Sequence, residues 1–236
     1  MRATAEKVRK ELRKYANKKT AKALQWFFKT GPGEYAEGDK FIGVKVPHIR
    51  SVVKKFKDIS LKDAVQLLKS GIHEERMFAL LTLVSKFNKA NEDEKKKIFT
   101  IYLKNSRFIN NWDLVDLSAP NIIGAYIMNK DKNILYRLAR SKTLWERRIA
   151  VLGTFYFIKY GQFDDSLKTA RMLLNDKEDL IHKAVGWMLR EIGKRALAAE
   201  EKFLRQYYKK MPRTMLRYAI EKFPEPKRKE YLLGKK

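Results

Sequence analysis

The chain has 236 residues, 44% of them apolar, which is enough to bury a substantial core and too many for a disordered chain. Lys and Arg number 53 against 27 Asp and Glu, a formal net charge of +26. Such an excess repels itself unless a polyanion offsets it, so the partner should be DNA, RNA or an anionic membrane.

There is no cysteine, which excludes disulfides and thiolate zinc sites, and the three histidines are too few for an all-protein histidine metal centre. No cofactor is expected. The longest apolar run, 149–158, falls well short of the ~20 residues of a spanning helix. Residues 1–19 alternate Lys, Arg and Glu around no apolar signal core. A cytoplasmic, nucleoid-associated monomer without a membrane partner is therefore expected.

In chain order, helical periodicity dominates. Gly31-Pro32-Gly33 should end the second helix, and the stretch 41–46 reads as a loop rather than a strand. Pro47 sits where a first-turn proline starts a helix whose apolar stripe is Ile49, Val52, Val53 and Phe56. Ser60, Asn91 and Asn111 are candidate N-caps. Met77, Leu80, Leu81, Val84 and Phe87 line a long helix, as do Trp112, Val115, Ala119, Ile122 and Tyr126. The stripe Trp145, Ile149, Leu152, Tyr156 follows, and then Ile181, Ala184, Val185, Met188, Ile192. Pro212 should open a late helix that Pro224 and Pro226 close.

Long helices near His73, Trp112, Trp145, Asp179 and Pro212 recur about every 33–39 residues with shorter helices between them. This rhythm predicts a single all-α domain over 1–236, a curved solenoid of HEAT-like (ARM-type) repeats presenting a concave basic groove that could cradle a duplex.

Three segments could carry chemistry. On the helix 179–194, Trp187 lies opposite the apolar stripe and is flanked by Lys183, Arg190 and Lys194. Cations around a ring on a polar face suit phosphates and a sugar or base, although solenoid helices also bury second faces. In Asn111-Trp112-Asp113-Leu114-Val115-Asp116, Trp112 and Asp116 are four apart and share a helix face. Pro120, four residues beyond Asp116, cannot donate to the Asp116 carbonyl, so a kink is expected there. A carboxylate beside an apolar stripe at such a spot is costly unless paired or used. Equally, Trp112 could be core, and Asp113 and Asp116 could serve the helix N-terminus. Arg148 flanks the Trp145 stripe and could clamp a phosphate with its guanidinium emerging at the groove, or pair with Asp116 or Glu146; Arg147 lies beside it. No Walker loop, GxGxxG, HExxH, GxSxG, zinc-finger or RRM signature occurs.

Taken together, Gly43-Val44-Lys45-Val46-Pro47, Asn111 to Asp116, Trp145 to Arg148 and Gly186-Trp187-Met188-Leu189-Arg190 resemble the bacterial DNA alkylation repair family, the AlkD-type alkylpurine DNA glycosylases with HEAT-like repeats. The resemblance covers most of the chain. It implies hydrolysis of the N-glycosidic bond of N3- or N7-alkylated purines in double-stranded DNA, with Asp116, Trp112, Trp187 and Arg148 in the active site. Lys45, Arg147, Lys183, Arg190 and Lys194 are the expected DNA contacts. Lys45 stands where the family's loop often carries an uncharged polar side chain. No role is carried over to 31–40, Tyr35 included. Relatives that bind branched DNA without excising a base keep a non-catalytic binder of duplex or branched DNA as the alternative, and structured RNA is a further candidate ligand.

Overall fold

The computed structural model describes residues 3–235. Among these the chain is all-helical, with one isolated bridge, Lys40 to Ile72, in place of any strand. The chain divides into two compact units, 1–118 and 119–236.

In the first unit, α1 (Ala5–Arg13), α2 (Lys18–Phe27), α3 (Val46–Lys55), α4 (Leu61–Leu68), α5 (His73–Phe87), α6 (Glu92–Lys104) and the start of α7 (Trp112–Ala119) follow one another. The start signals act as expected. Ser60 accepts from the Asp63 amide, and Asn91 and Glu94 form a capping box that satisfies two helix-end donors reciprocally. Pro47 lies in the first turn of α3. Asn111 precedes α7, but its side chain accepts from the adjacent Trp112 amide rather than from deeper in the turn. α5 is the centre of the unit. It packs on α3 and α4, and nearly its whole length is buried, including its first four residues, His73, Glu74, Glu75 and Arg76.

Residues 41–45 are indeed a loop, and its shape is forced. Gly43 has φ +83°, and a Cβ there would stand 2.1 Å from the Asn17 carbonyl oxygen, so only glycine fits. The buried Glu74 carboxylate accepts from the Ile42, Gly43 and Val44 amides at 2.7–3.1 Å, which gives these buried donors their partners.

In the second unit, a π-helical turn at Pro120–Gly124 precedes α8 (Ala125–Ile127). The break expected at Pro120 therefore takes the form of a wide π turn, at the point where the proline has no amide to donate to the helical ladder. It also rotates the stripe. Ile122 stays buried, but Ile123 and Ile127 become core, and Tyr126 turns outward beneath the Lys130 ammonium, 3.6 Å from its ring. Helix pairs follow: α9 (Asn133–Ala139) with α10 (Leu144–Lys159), α11 (Asp164–Met172) with α12 (Asp179–Gly193), and α13 (Leu197–Tyr207) with α14 (Arg213–Ala219). The first two pairs show the expected alternation of short and long helices, whereas in the last pair α13 is longer than α14, so the long helix expected from Pro212 is a short one.

Pro212 opens α14 as anticipated, but Pro224 and Pro226 do not merely close it. A 3₁₀ turn at Ile220–Lys222 ends that segment, and the two prolines start a further helix, α15 (Glu225–Leu232), with Pro226 in its first turn. First-turn proline costs no hydrogen bond, so a Pro-x-Pro sequence suits a start as well as a stop.

Gly186 sets how closely α12 approaches α14, since a Cβ there would lie 2.4 Å from the Met215 carbonyl oxygen. Gly186→Ala is expected to destabilise the second unit by about 1–3 kcal/mol through overpacking. A thermal melt of the variant checks this.

Candidate active site

The aromatic and charged residues of the first unit converge on the start of α7. Trp112 is half-buried. Its ring stacks on Phe28 (5.2 Å, 26°) and meets Phe27 edge-on at 6.0 Å, while its Nε1 donates to the Tyr35 hydroxyl at 3.2 Å. Phe28 continues the stack to Phe41 and to the imidazole of His73. The loop that carries Tyr35 is a compact excursion: Lys29 adopts φ +54°, Gly33 and Gly38 are also left-handed, and the Ala36 and Gly38 amides bond back to Lys29 and Thr30. Tyr35 thus touches Trp112 from a stretch that carries no recognisable motif. Beside this cluster Trp26 is 83% and Phe27 55% exposed, an unusual display of aromatic surface at the end of a helix that also bears Lys18, Lys19 and Lys22.

Beneath Trp112 lies a charged network that the sequence pattern hides. His73 is buried between two carboxylates, Nδ1 to Asp39 at 2.9 Å and Nε2 to Asp113 at 2.8 Å. The Arg76 guanidinium donates to the other Asp39 oxygen at 2.6 Å, and the Asn111 amide nitrogen lies 3.4 Å from Asp39. Burial alone would lower the His73 pKa, but its hydrogen bonds and charge interactions with Asp113 and Asp39 outweigh this and raise it to about 9. Burial likewise works against the Asp39 charge, yet His73 and Arg76 hold its carboxyl below the usual range. Two carboxylates and two cations leave the cluster neutral, the condition under which burying four charges is tolerable.

Asp116 lies one turn beyond Trp112 and is half-buried. Its charge reaches the interior. The Tyr102 phenol, already pushed up by burial, is pushed further up by Asp116, although its hydrogen bond with Ser118 (2.9 Å) works the other way. Ser118 in turn donates to the Leu114 carbonyl at 2.5 Å, so the residues around Asp116 are held by a side-chain chain within α7 and α6.

The second unit holds the remaining candidates. Arg148 is only 5% exposed, more deeply placed than the emerging guanidinium expected from its stripe position, and its Nη1 donates to the Leu180 carbonyl at 2.5 Å. A desolvated guanidinium needs such acceptors. Arg147 is tied to Asp176 (2.7 Å) and to the Ser141 and Lys142 carbonyls. Trp187 is half-buried against Phe155 at 5.6 Å, and its Nε1 donates to Glu191 at 3.2 Å. The cations around it all have carboxylate partners: Lys183 pairs with Asp179, Arg190 with Glu221, and Lys194 with Glu191. Burial would raise the Glu191 pKa, but Lys194 and Arg195 hold it below the usual range. Lys45, at the start of α3 in the first unit, is exposed.

Among the described residues no group of His, Asp or Glu side chains is arranged to hold a metal ion, and no helix is long and apolar enough to cross a membrane.

The fold and these residues can be set beside known proteins. The model of the DNA alkylation repair enzyme family matches residues 8–223. A solved structure described as a predicted DNA alkylation repair enzyme from Enterococcus faecalis superposes with a TM-score of 0.69 at 16% identity, covering 89% of this chain and 97% of that one. That likeness speaks to the fold. No curated protein gives a significant match. With its family model spanning nearly the whole sequence, the chain belongs to the DNA alkylation repair enzyme family and has a role in DNA repair.

Proposed function

We propose that this protein is a DNA glycosylase that hydrolyses the N-glycosidic bond of N3- or N7-alkylated purines in duplex DNA. The observation that carries the reading is the pairing of Trp112 and Asp116 on one face of α7, both half-buried, with the Trp112 ring stacked and hydrogen-bonded in place. Alkylation makes the purine cationic, so it leaves without general-acid help. As the C1′–N bond breaks, its electron pair neutralises the base and positive charge develops on the sugar. The Asp116 carboxylate stabilises that oxocarbenium character and orients the water that attacks C1′, accepting its proton or passing it to solvent.

The Trp112 face offers stacking and cation–π attraction to the cationic nucleotide, of order 1–2 kcal/mol when desolvated, and Trp187 is in this reading a further aromatic surface for DNA. Arg148, desolvated already, grips a flanking phosphate in this reading, and Lys45, Arg147, Lys183, Arg190 and Lys194 contribute backbone contacts. The decisive experiment is incubation of the purified protein with methylated duplex DNA and scoring of freed 7-methylguanine and 3-methyladenine.

The ion pairs of α12 do not preclude DNA contact. Lys183 and Asp179 are 40% and 56% exposed on their side chains, and exposed pairs are worth little, so a phosphate can take over the ammonium. Lys183→Ala is expected to weaken duplex binding and to reduce the slope of log K against log salt by about 0.9. An unchanged slope in a salt titration by fluorescence anisotropy removes Lys183 from the interface.

A second reading, a non-catalytic binder of duplex or branched DNA, draws on the burial of Arg148 and its bond to a backbone carbonyl, a structural use of that side chain. A wild-type protein that binds methylated duplex but frees no base favours it.

A further inference from the structure

We propose that His73 is a positioning residue, an imidazolium clamped between Asp39 and Asp113 that fixes the first turn of α7 and with it Trp112 and Asp116. The inference rests on the reading of α7 as the active helix, but its structural half can be tested apart from catalysis.

The geometry requires a charged ring. Both imidazole nitrogens face carboxylate oxygens at 2.8–2.9 Å, and an ionised carboxylate can only accept. Both nitrogens therefore donate. Asp39 stays ionised because its other oxygen takes the Arg76 guanidinium. Asp113 is held at both ends, one oxygen by His73 and the other by the Leu114 amide in the first turn of α7.

His73 also reaches Trp112 through the aromatic rings between them. Its ring stacks on Phe41 at 4.3 Å and lies 5.2 Å from Phe28, the ring on which Trp112 rests. A single buried side chain thus supports the tryptophan through the carboxylate that follows it in sequence and through the aromatic ring beneath it. None of these contacts involves Asp116 directly, so His73 acts through the placement of α7.

The charges around the ring are few. From the loop after α2 comes Asp39, from α7 Asp113, and from α5 itself Arg76, which is bound to Asp39. Glu74 and Glu75 on α5 are turned to other partners, the 42–44 amides and the α1 residues Arg9 and Arg13. Loss of the ring proton leaves two carboxylates with one N–H between them. One must release the ring, and the α7 start then loosens. With the His73 pKa at about 9, this happens at the alkaline end of the working range.

The test follows the ring and the tryptophan together. In protein labelled with ¹³C in the Trp and His rings, the Trp112 resonance, assigned with Trp112→Phe, is expected to shift with the same pH midpoint as His73. Asp113→Asn removes one charge while keeping the side chain's shape, and it should bring both midpoints down by about 1–3 pH units. Single-turnover release of 7-methylguanine should lose rate above the same midpoint in the wild type, and above the lower one in the variant, while affinity for intact duplex stays unchanged.

A Trp112 resonance that stays flat while His73 titrates overturns the inference, whatever the excision rate. A shared titration in a protein that frees no base upholds the positioning of α7 and sinks the glycosylase reading instead. Should Asp113→Asn fail to fold, the wild-type titration alone decides.

Discussion

Asp116→Asn is expected to lower the single-turnover rate of 7-methylguanine release by about 10²–10³-fold, the usual cost of removing one preorganised electrostatic stabiliser. The reason is specific to the charge. Asn keeps the size and hydrogen-bonding reach of the side chain, but it cannot offset positive charge on the deoxyribose or take a proton from water. Because the alkylated base is already a good leaving group, the carboxylate acts only as the bond breaks. Binding of intact duplex, set by phosphate contacts, should remain within about twofold. The rate and the dissociation constant measured on the same duplex separate these effects. Full activity in Asp116→Asn removes the residue from the mechanism, and an equal loss of rate and affinity points to a damaged fold.

That Asp116 and Trp112 share one face of α7 was legible in the sequence because both lie in one helical segment, where spacing alone decides which side chains are neighbours. The same holds for most of the fold. The stripe of α12 is buried throughout, and those of α3, α5 and α10 are buried except for the half-buried Val53, Phe56, Val84 and Tyr156, since an amphipathic period is a local property of the chain. The π turn was half legible. Pro120 announced a break, but the extra residue of the turn moved the stripe from Tyr126 to Ile123 and Ile127, and a periodicity carried straight through cannot foresee that.

The charged network under Trp112 was not legible. His73, Glu74, Glu75 and Arg76 are four polar residues in a row at a helix start, a pattern that reads as a solvated first turn. All four are buried because their partners arrive from elsewhere: Asp39 and the 42–44 amides from the loop between α2 and α3, Arg9 from α1, and Asp113 from α7. Such partners lie 30 to 66 positions away, beyond any local period. Tyr35 escaped for the same reason, being brought to Trp112 across 77 positions by a compact loop. One signal was present. Four consecutive ionisable residues leading directly into a strongly apolar helix are expensive to bury and call for counter-charges somewhere in the chain.

The Asp39 ion pair should dominate the stability of this region. Arg76→Met is expected to destabilise the first unit by about 3–5 kcal/mol, because it strands a buried carboxylate rather than exchanging the whole pair for apolar groups. The corresponding drop in melting temperature is roughly 6–20 °C, taking about 2–4 °C per kcal/mol for a chain of this size. Exposure marks the contrast. Arg76 and Asp39 side chains are 5% and 1% exposed, whereas the surface pair Lys10–Glu6 is 75% and 73% exposed, and Lys10→Ala should leave the melting temperature essentially unchanged.

The pH dependence follows from the same groups. His73 has a raised pKa in the folded state, so its contribution is fully present below the ordinary histidine value of 6.5 and is lost as pH rises through about 9. Asp39 is depressed, so its contribution is present above the usual carboxylate range and is lost as pH falls through its lowered folded value. In Arg76→Met the Asp39 carboxylate loses one of its two cations, its folded pKa rises, and the acid limb of the stability curve should move upward. Adding Asp39→Asn to Arg76→Met removes the stranded charge and should recover part of the loss, a coupling that a double-mutant cycle of thermal melts measures directly. Equal and additive losses in the two single variants would mean that the pair does not act as a unit.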